Sequence, residues 1–317
     1  MSIQILSIGK AVPEQVISNH RLSTFLDTND EWITTRTGIK SRYIATEETL
    51  VSLCEEAVMK ALHQAKLASK DIDLILCSTL CGDYLLPSLS CCILERLHIS
   101  CPAFDINAAC SGFIYALDVA DTYISTGKAT NVLIVCAEML SKLVDWKDRS
   151  TCVLFGDGAA ACMITKGTAL QYLKLTATGN TQALYLPFGN GNNPFKPKKE
   201  TGYINMQGQE VFKFAVSMIE NQTDLALQTL HMIPDDIDYY VLHQANKRII
   251  ESARNRLNQP EEKFPVNIER YGNISSVSIP ILLDEMMENG RIQKGTKLLL
   301  SAFGAGFTTG TCVMIWE

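Results

Sequence analysis

Chemistry first becomes visible at Cys110, in the segment DINAACSGFIYALDVADTYISTG. Phe113, Ile114, Leu117, Val119, Ala120 and Ile124 recur at helical spacing, and Gly127 stands where such a helix would stop. The preceding CPAFDINAA reads as a strand-like approach, so Cys110 falls at a strand-to-helix turn near a helix N-terminus. Unpaired backbone N–H groups and a partial positive charge gather there. They favour thiolate over thiol and predict a pKa below the free value of ~8.5. Ala108, Ala109, Ser111 and Gly112 leave room for a substrate to approach. The plainer reading is a small buried hydrophobe, which suits most of the other cysteines, such as Cys77 in DLILC and Cys136 in VLIVC.

His243 ends the apolar run DYYVLH and precedes QANKRIIESARNRL, which reads as a helix. It therefore projects from the carboxyl end of a strand, where open α/β sheets place their ligands. A satisfied core histidine is the alternative, but the polar cluster His243, Gln244 and Asn246 favours a site. Asn273, in ERYGNISSVSIPILLDEM, lies at a second turn before a helix, where asparagine is also at home as a cap. GAGFTTG, Gly304 to Gly310, imitates a dinucleotide fingerprint. It is followed by the strand-like TCVMIW, so no helix N-terminus is available for a pyrophosphate. It reads as a flexible turn whose backbone N–H groups face a site, as an oxyanion hole requires.

These residues sit in a repeated frame. A shift of 165 residues lays Asp71-Ile72-Asp73 on Asp236-Ile237-Asp238, each followed by a strand-like run, and lays Cys110-Ser111 on Ser275-Ser276. A shift of 166 lays KATNVLIV on KGTKLLLS, and a shift of 150 pairs ACMI with TCVMI near the C-terminus. Helical spacing repeatedly gives way to continuous aliphatic runs, the mark of strands covered on both faces. The terminal strand pair of each repeat lacks an intervening helix and predicts antiparallel neighbours. Two similar α/β halves are expected, 1–165 and 166–317. The Gly/Pro/Asn-rich stretch 189–202 reads as a surface loop or as a cover over a channel.

Composition narrows the rest. The chain has 317 residues, 47% hydrophobic and 20% charged, so more than one core is expected. A net charge of −6 makes no overall case for nucleic acid. No basic, apolar leader opens the sequence, and no apolar stretch reaches the ~18 residues of a membrane span. Eleven cysteines, without a C-x-x-C pair, read as reduced thiols in a cytoplasmic protein rather than a disulfide framework. No histidine cluster or H-E-x-x-H predicts a metal site.

Taken in order, DEWITTRTGIKSRY, CPAFDINAACSGFIYAL, FGDGAAA, INMQGQEVFKFAV, HQANKRII, RYGNISSVSIP and SAFGAGFTTG resemble β-ketoacyl-acyl carrier protein synthase III, a thiolase-like condensing enzyme. The resemblance runs from about Ile3 to the C-terminus. It implies a duplicated α/β fold layered αβαβα and a homodimer. It also implies decarboxylative condensation of an acyl-CoA primer with malonyl-acyl carrier protein, with no cofactor beyond the coenzyme A thioester substrate. Cys110 would take the acyl group, while His243 and Asn273 stabilise the malonyl thioester oxygen. The backbone N–H groups of Cys110 and Ala305 would form the oxyanion hole. Trp32 and Arg149 would sandwich the adenine of coenzyme A, with Arg36 near phosphate. Lys213, Lys247, Arg248 and Arg256 would dock the carrier protein. Leu86 stands where relatives often carry Phe, at a spot reaching the partner's acyl pocket, and its smaller side chain favours longer or branched primers. Ala305 and Thr309 depart from a frequent Gly and a common Trp. Two alternatives remain open: a related thiolase-like acyltransferase or condensing enzyme of secondary metabolism, and a non-catalytic acyl-CoA or carrier-protein binding module. An intact Cys-His-Asn set argues against the latter.

Overall fold

The computed structural model describes residues 2–317. Two mixed sheets organise it. In the first, strand order runs Ser2–Ala11, Asp157–Gly167, Asn131–Met139, Leu74–Ser78, Ala103–Ile106. In the second it runs Leu170–Asn180, Gly306–Ile315, Lys297–Gly304, Tyr239–Leu242. Position by position the orders match, except that Ala103–Ile106 has no counterpart. In both sheets the strand pair joined without a helix is antiparallel, Asn131–Met139 with Asp157–Gly167 and Lys297–Gly304 with Gly306–Ile315. The strands that receive helical crossovers pair in parallel.

Three helical layers enclose the sheets. Helices Leu50–Ala65 and Leu89–Leu97 cover the outer face of the first sheet. Helices Gly208–Leu230 and Lys247–Leu257 cover the outer face of the second. Between the sheets lie helices Gly112–Ser125 and Ser278–Glu288, whose Phe113, Ile114, Ile281 and Leu283 join strand residues of both halves in one core. Each such side chain contributes about 1.5–3 kcal/mol on burial. A strand buried on both faces has no polar side to alternate, so VLIVCA in Asn131–Met139 is apolar throughout. The thiolase-like layering αβαβα is thus present.

Backbone conformation carries the duplication more faithfully than side chains do. Among the described residues six that are not glycine have positive φ: Lys66, His98, Ala109, His231, Asn258 and Ser275. They form three equivalent pairs. Lys66 and His231 end the long outer helices, and His98 and Asn258 end the shorter ones, each as a left-handed C-cap. Ala109 and Ser275 occupy the turns that open the two central helices. There the strain positions functional side chains.

Candidate active site

The central helices begin side by side, and the site is built where they begin. A 3-10 turn, Ala109–Ser111, leads into Gly112–Ser125, and its partner, Ser275–Val277, leads into Ser278–Glu288. Gly112 is required where the first of these helices passes the strand Leu74–Ser78, because a Cβ there would fall 1.9 Å from Ser78 Oγ. Cys110 is partly exposed and opens onto a cavity of about 590 Å³ that is also lined by His243, Asn273, Phe303 and Gly304. The three residues singled out by sequence, drawn from three distant segments, meet in this one cavity.

His243 follows the strand Tyr239–Leu242, pinned by its N–H to the Ser301 carbonyl at 2.9 Å. Its ring lies edge-on to Phe303, centroids 5.5 Å apart, and its Nδ1 is 2.7 Å from Ser278 Oγ. Burial drives its pKa down to about 3, so the imidazole is neutral. Among the described residues the Ser278 hydroxyl has no other acceptor, so it donates to Nδ1 and leaves the proton on Nε2. Neighbouring Gln244 serves structure instead. Its amide donates to the Leu242 carbonyl, and its Oε1 accepts from the Asn267 N–H. Asn246 caps the next helix, accepting from the Arg248 N–H at 2.9 Å.

Asn273 is held by FGDGAAA. Its backbone N–H donates to the Leu154 carbonyl and its carbonyl accepts from the Gly156 N–H. A Cβ at Gly156 would meet the Tyr271 carbonyl at 2.4 Å, so only glycine permits this approach. Asn273 Oδ1 accepts from the Ser275 N–H at 2.9 Å, which leaves the Nδ2 hydrogens free as donors. A neutral imidazole N–H and a carboxamide N–H thus face one buried cavity, which suits them to a developing oxyanion.

The thiol itself departs from expectation. Burial pushes Cys110 up to about 12, opposed by the Ser275 hydroxyl and reinforced by the Glu138 carboxylate. Desolvation outweighs the helix terminus, so the resting group is a thiol and must lose its proton as it attacks.

The GAGFTTG segment is a tight hairpin between two strands, not a flexible loop. Gly304 lines the cavity, and a Cβ on it would lie 2.7 Å from the Cys110 nitrogen. Ala305 sits one residue on, at the hairpin tip, and does not line the cavity. Ser111, Thr308 and the Ala108 carbonyl lock the hairpin to the Cys110 turn, with Ser111 Oγ donating to Thr308 Oγ1 at 2.8 Å and Thr308 Oγ1 to that carbonyl at 2.9 Å.

The outer end of the cavity carries the exposed cations Arg36, Lys213 and Arg248 beside Trp32. Trp32 and Arg149 are adjacent but closed on each other: the guanidinium carbon is 5.2 Å from the ring centroid, and the same guanidinium holds Asp27. No gap for a base separates them. Arg36 occupies the Trp32 ring as well, at 4.9 Å. Lys247 lies outside this cavity, 3.5 Å from Glu269, and Arg256 is paired with Glu220, so the expected basic face is divided. Leu86 is 85% exposed and does not line the cavity of its own chain. Residues 189–202 do not line it either, whereas Leu184 and Met206 at the base of that excursion do. Ser278, Ser275 and Phe303 were missed by sequence reasoning, whereas Gly304 opens the GAGFTTG segment read as facing a site. Only the alignment of Cys110-Ser111 with Ser275-Ser276 hinted at the second pair of helix starts.

Residues 104–179 match the model of 3-oxoacyl-[acyl-carrier-protein] synthase III, and residues 227–316 match that of its C-terminal part. A β-ketoacyl-[acyl-carrier-protein] synthase III of Caldanaerobacter subterraneus subsp. tengcongensis is 44% identical over 99% of this chain and 97% of its own length. The chain belongs to the β-ketoacyl-acyl carrier protein synthase III family. The crystal structure of 3-oxoacyl-[acyl-carrier-protein] synthase III from Aquifex aeolicus superimposes with a TM-score of 0.91 at 42% identity, covering 99% of this chain and all of that one. A priming β-ketosynthase from the R1128 polyketide pathway gives 0.93 at 31% identity, covering 100% and 96%. Family membership fixes the reaction class: this chain is a condensing acyltransferase.

Proposed function

We propose that Cys110 attacks an acyl-CoA primer, and that the resulting acyl-enzyme is condensed with malonyl-acyl carrier protein to give a β-ketoacyl-carrier product. In the second step the malonyl carboxylate leaves as CO₂. The enolate left behind is stabilised at its thioester oxygen by His243 Nε2–H and Asn273 Nδ2–H, and it attacks the acyl carbonyl. The observation that carries this reading is the shared cavity of Cys110, His243 and Asn273, with imidazole and carboxamide each held as donors by Ser278 and Ser275.

Substrate ends are assigned on the same footing. Trp32 parts from Arg149 to admit the adenine, Arg36 meets phosphate, and Lys213 and Arg248 receive the carrier, with Lys247 and Arg256 as flanking charge. The Cys110 N–H binds the acyl oxyanion, and the Ala305 N–H joins it once the hairpin tip, which stands outside the cavity, turns inward. The Ala103–Ile106 edge strand and the exposed Tyr84, Leu85 and Leu86 are offered to a second copy, where Leu86 would bound the partner's acyl pocket. We place the enzyme in the cytoplasm, in keeping with its unpaired cysteines.

The test is incubation with labelled acyl-CoA followed by mass analysis of the Cys110 peptide. A single acyl adduct on Cys110, discharged by malonyl-carrier, is expected. Absence of the adduct would leave a non-catalytic binding module as the better account.

A further inference from the structure

Beneath the nucleophile lies a carboxyl group that the condensation chemistry leaves unused. Glu138 is fully buried near the end of the strand Asn131–Met139. Its Oε2 accepts from the Leu80 N–H at 3.1 Å and from the Cys81 thiol at 3.5 Å. Among the described residues its Oε1 is buried with no hydrogen-bond partner, and so is Ser275 Oγ. Yet the turn Ser275–Val277 packs against both the Cys110 turn and the strand that carries Glu138, and there Ser275 favours the charged form of each group. Native interiors rarely leave two polar atoms orphaned in one place. This pair adjoins a thiol that must shed a proton, and Ser275 is held there by a left-handed backbone, φ +51°.

The groups facing Glu138 are the thiols of Cys81, Cys110 and Cys136 and the Lys142 ammonium, which also donates to the Gly82 carbonyl at 3.0 Å. Burial dominates among them and raises Glu138 to about 7, poised to exchange a proton near neutrality.

We propose that Glu138, acting through the Ser275 hydroxyl, stores the Cys110 proton between the two half-reactions. This rests on Cys110 being the nucleophile. In acylation, the thiol proton passes to Ser275 Oγ as the serine proton passes to Glu138 Oε1. The sulfur forms its bond to the acyl carbon, the carbon–sulfur bond to coenzyme A breaks, and the released coenzyme A thiolate takes a proton from solvent. In condensation, CO₂ leaves, the new carbon–carbon bond forms, and the Cys110–acyl bond breaks to give a thiolate. Glu138 then returns the stored proton through Ser275. The cycle consumes one solvent proton and leaves the enzyme unchanged. Glu138 positions a proton and touches no substrate.

The experiment compares wild type, Glu138→Gln and Ser275→Gly; glycine accepts the positive φ while removing the hydroxyl. Single-turnover acylation of Cys110 by acyl-CoA is followed by mass spectrometry across pH 5.5–8.5, beside decarboxylation of malonyl-carrier without primer. Acylation is expected to slow by about 10²–10³-fold in both variants. The wild-type acylation rate should rise with pH through about 7, a dependence absent from Glu138→Gln. In Glu138→Gln decarboxylation should stay within about twofold, because Glu138 holds neither His243 nor Asn273. Acylation within about threefold of wild type in both variants, with the pH dependence retained, overturns the proposal. A wild type that forms no Cys110 adduct overturns the nucleophile as well, and that outcome is distinct from the first.

Discussion

Ser278 Oγ lies 2.7 Å from His243 Nδ1 and hands it the hydrogen that no other acceptor among the described residues claims. That contact decides which face of the imidazole can act. With Nδ1 occupied as an acceptor, the ring presents Nε2–H to the cavity, a donor suited to a thioester oxygen that is gaining charge.

Ser278→Ala should therefore impair decarboxylation more than acylation. Losing one hydrogen bond of about 1–1.5 kcal/mol and freeing the tautomer predicts a fall of about tenfold in kcat for malonyl-carrier. The KM for acyl-CoA should be unchanged. Parallel assay of the two half-reactions checks the split.

The neutral, buried His243 sets a pH signature on stability. Its folded pKa, about 3, lies below the ordinary value of 6.5, so the unfolded chain binds more protons between them. Stability is present above pH 6.5 and is lost as pH falls toward 3. His243→Gln removes this contribution. Urea midpoints measured from pH 7 to pH 4.5 should fall more steeply for wild type than for the variant.

Gly304 is a steric hinge of the nucleophile. Gly304→Ala would press a methyl group to 2.7 Å from the Cys110 nitrogen and 2.8 Å from Ala109 Cβ. Overpacking of this kind costs about 1–3 kcal/mol, and the shifted turn would misplace the sulfur. Acylation should drop by at least about tenfold, together with a lower urea midpoint.

Trp32 tests the outer end. If its ring releases Arg149 to receive adenine, Trp32→Ala should raise the KM for acyl-CoA by about tenfold, the worth of one aromatic stack. An acyl-pantetheine thioester lacks the nucleotide and should be turned over as by wild type. Equal losses with both substrates would remove the adenine contact from Trp32.

Charge reversal separates the basic residues. Lys213→Glu and Arg248→Glu should raise the KM for malonyl-carrier, with the effect shrinking as salt rises, because both are exposed at the cavity's outer end. Arg256→Glu, already paired with Glu220 in wild type, should change the KM less.

Much of this architecture was legible in one dimension because its causes are local. Continuous apolar runs betray strands buried on both faces, and the repeated Asp-Ile-Asp before a strand betrayed a second copy. A cysteine between small residues at a helix start, a histidine at a strand end and an asparagine before a turn were each recognisable from their neighbours. Non-local facts were not. Glu138 follows VLIVCA like any residue ending a strand, and nothing near it in the chain shows that the turn at Ser275 folds against it. Ser278 is one serine among three in NISSVSI until the second central helix comes to rest beside His243.

The sequence by itself determined the layered frame, the strand and helix ends, and the residue types that reach the cavity. Only the tertiary structure decided their protonation. A helix terminus offers Cys110 about 0.3–1 kcal/mol toward thiolate, whereas each tenfold change in acidity is about 1.4 kcal/mol, and burial carries the thiol to about 12. Helix termini can be read from residue order, but water is excluded by the whole fold, and that larger effect sets the state from which the enzyme starts.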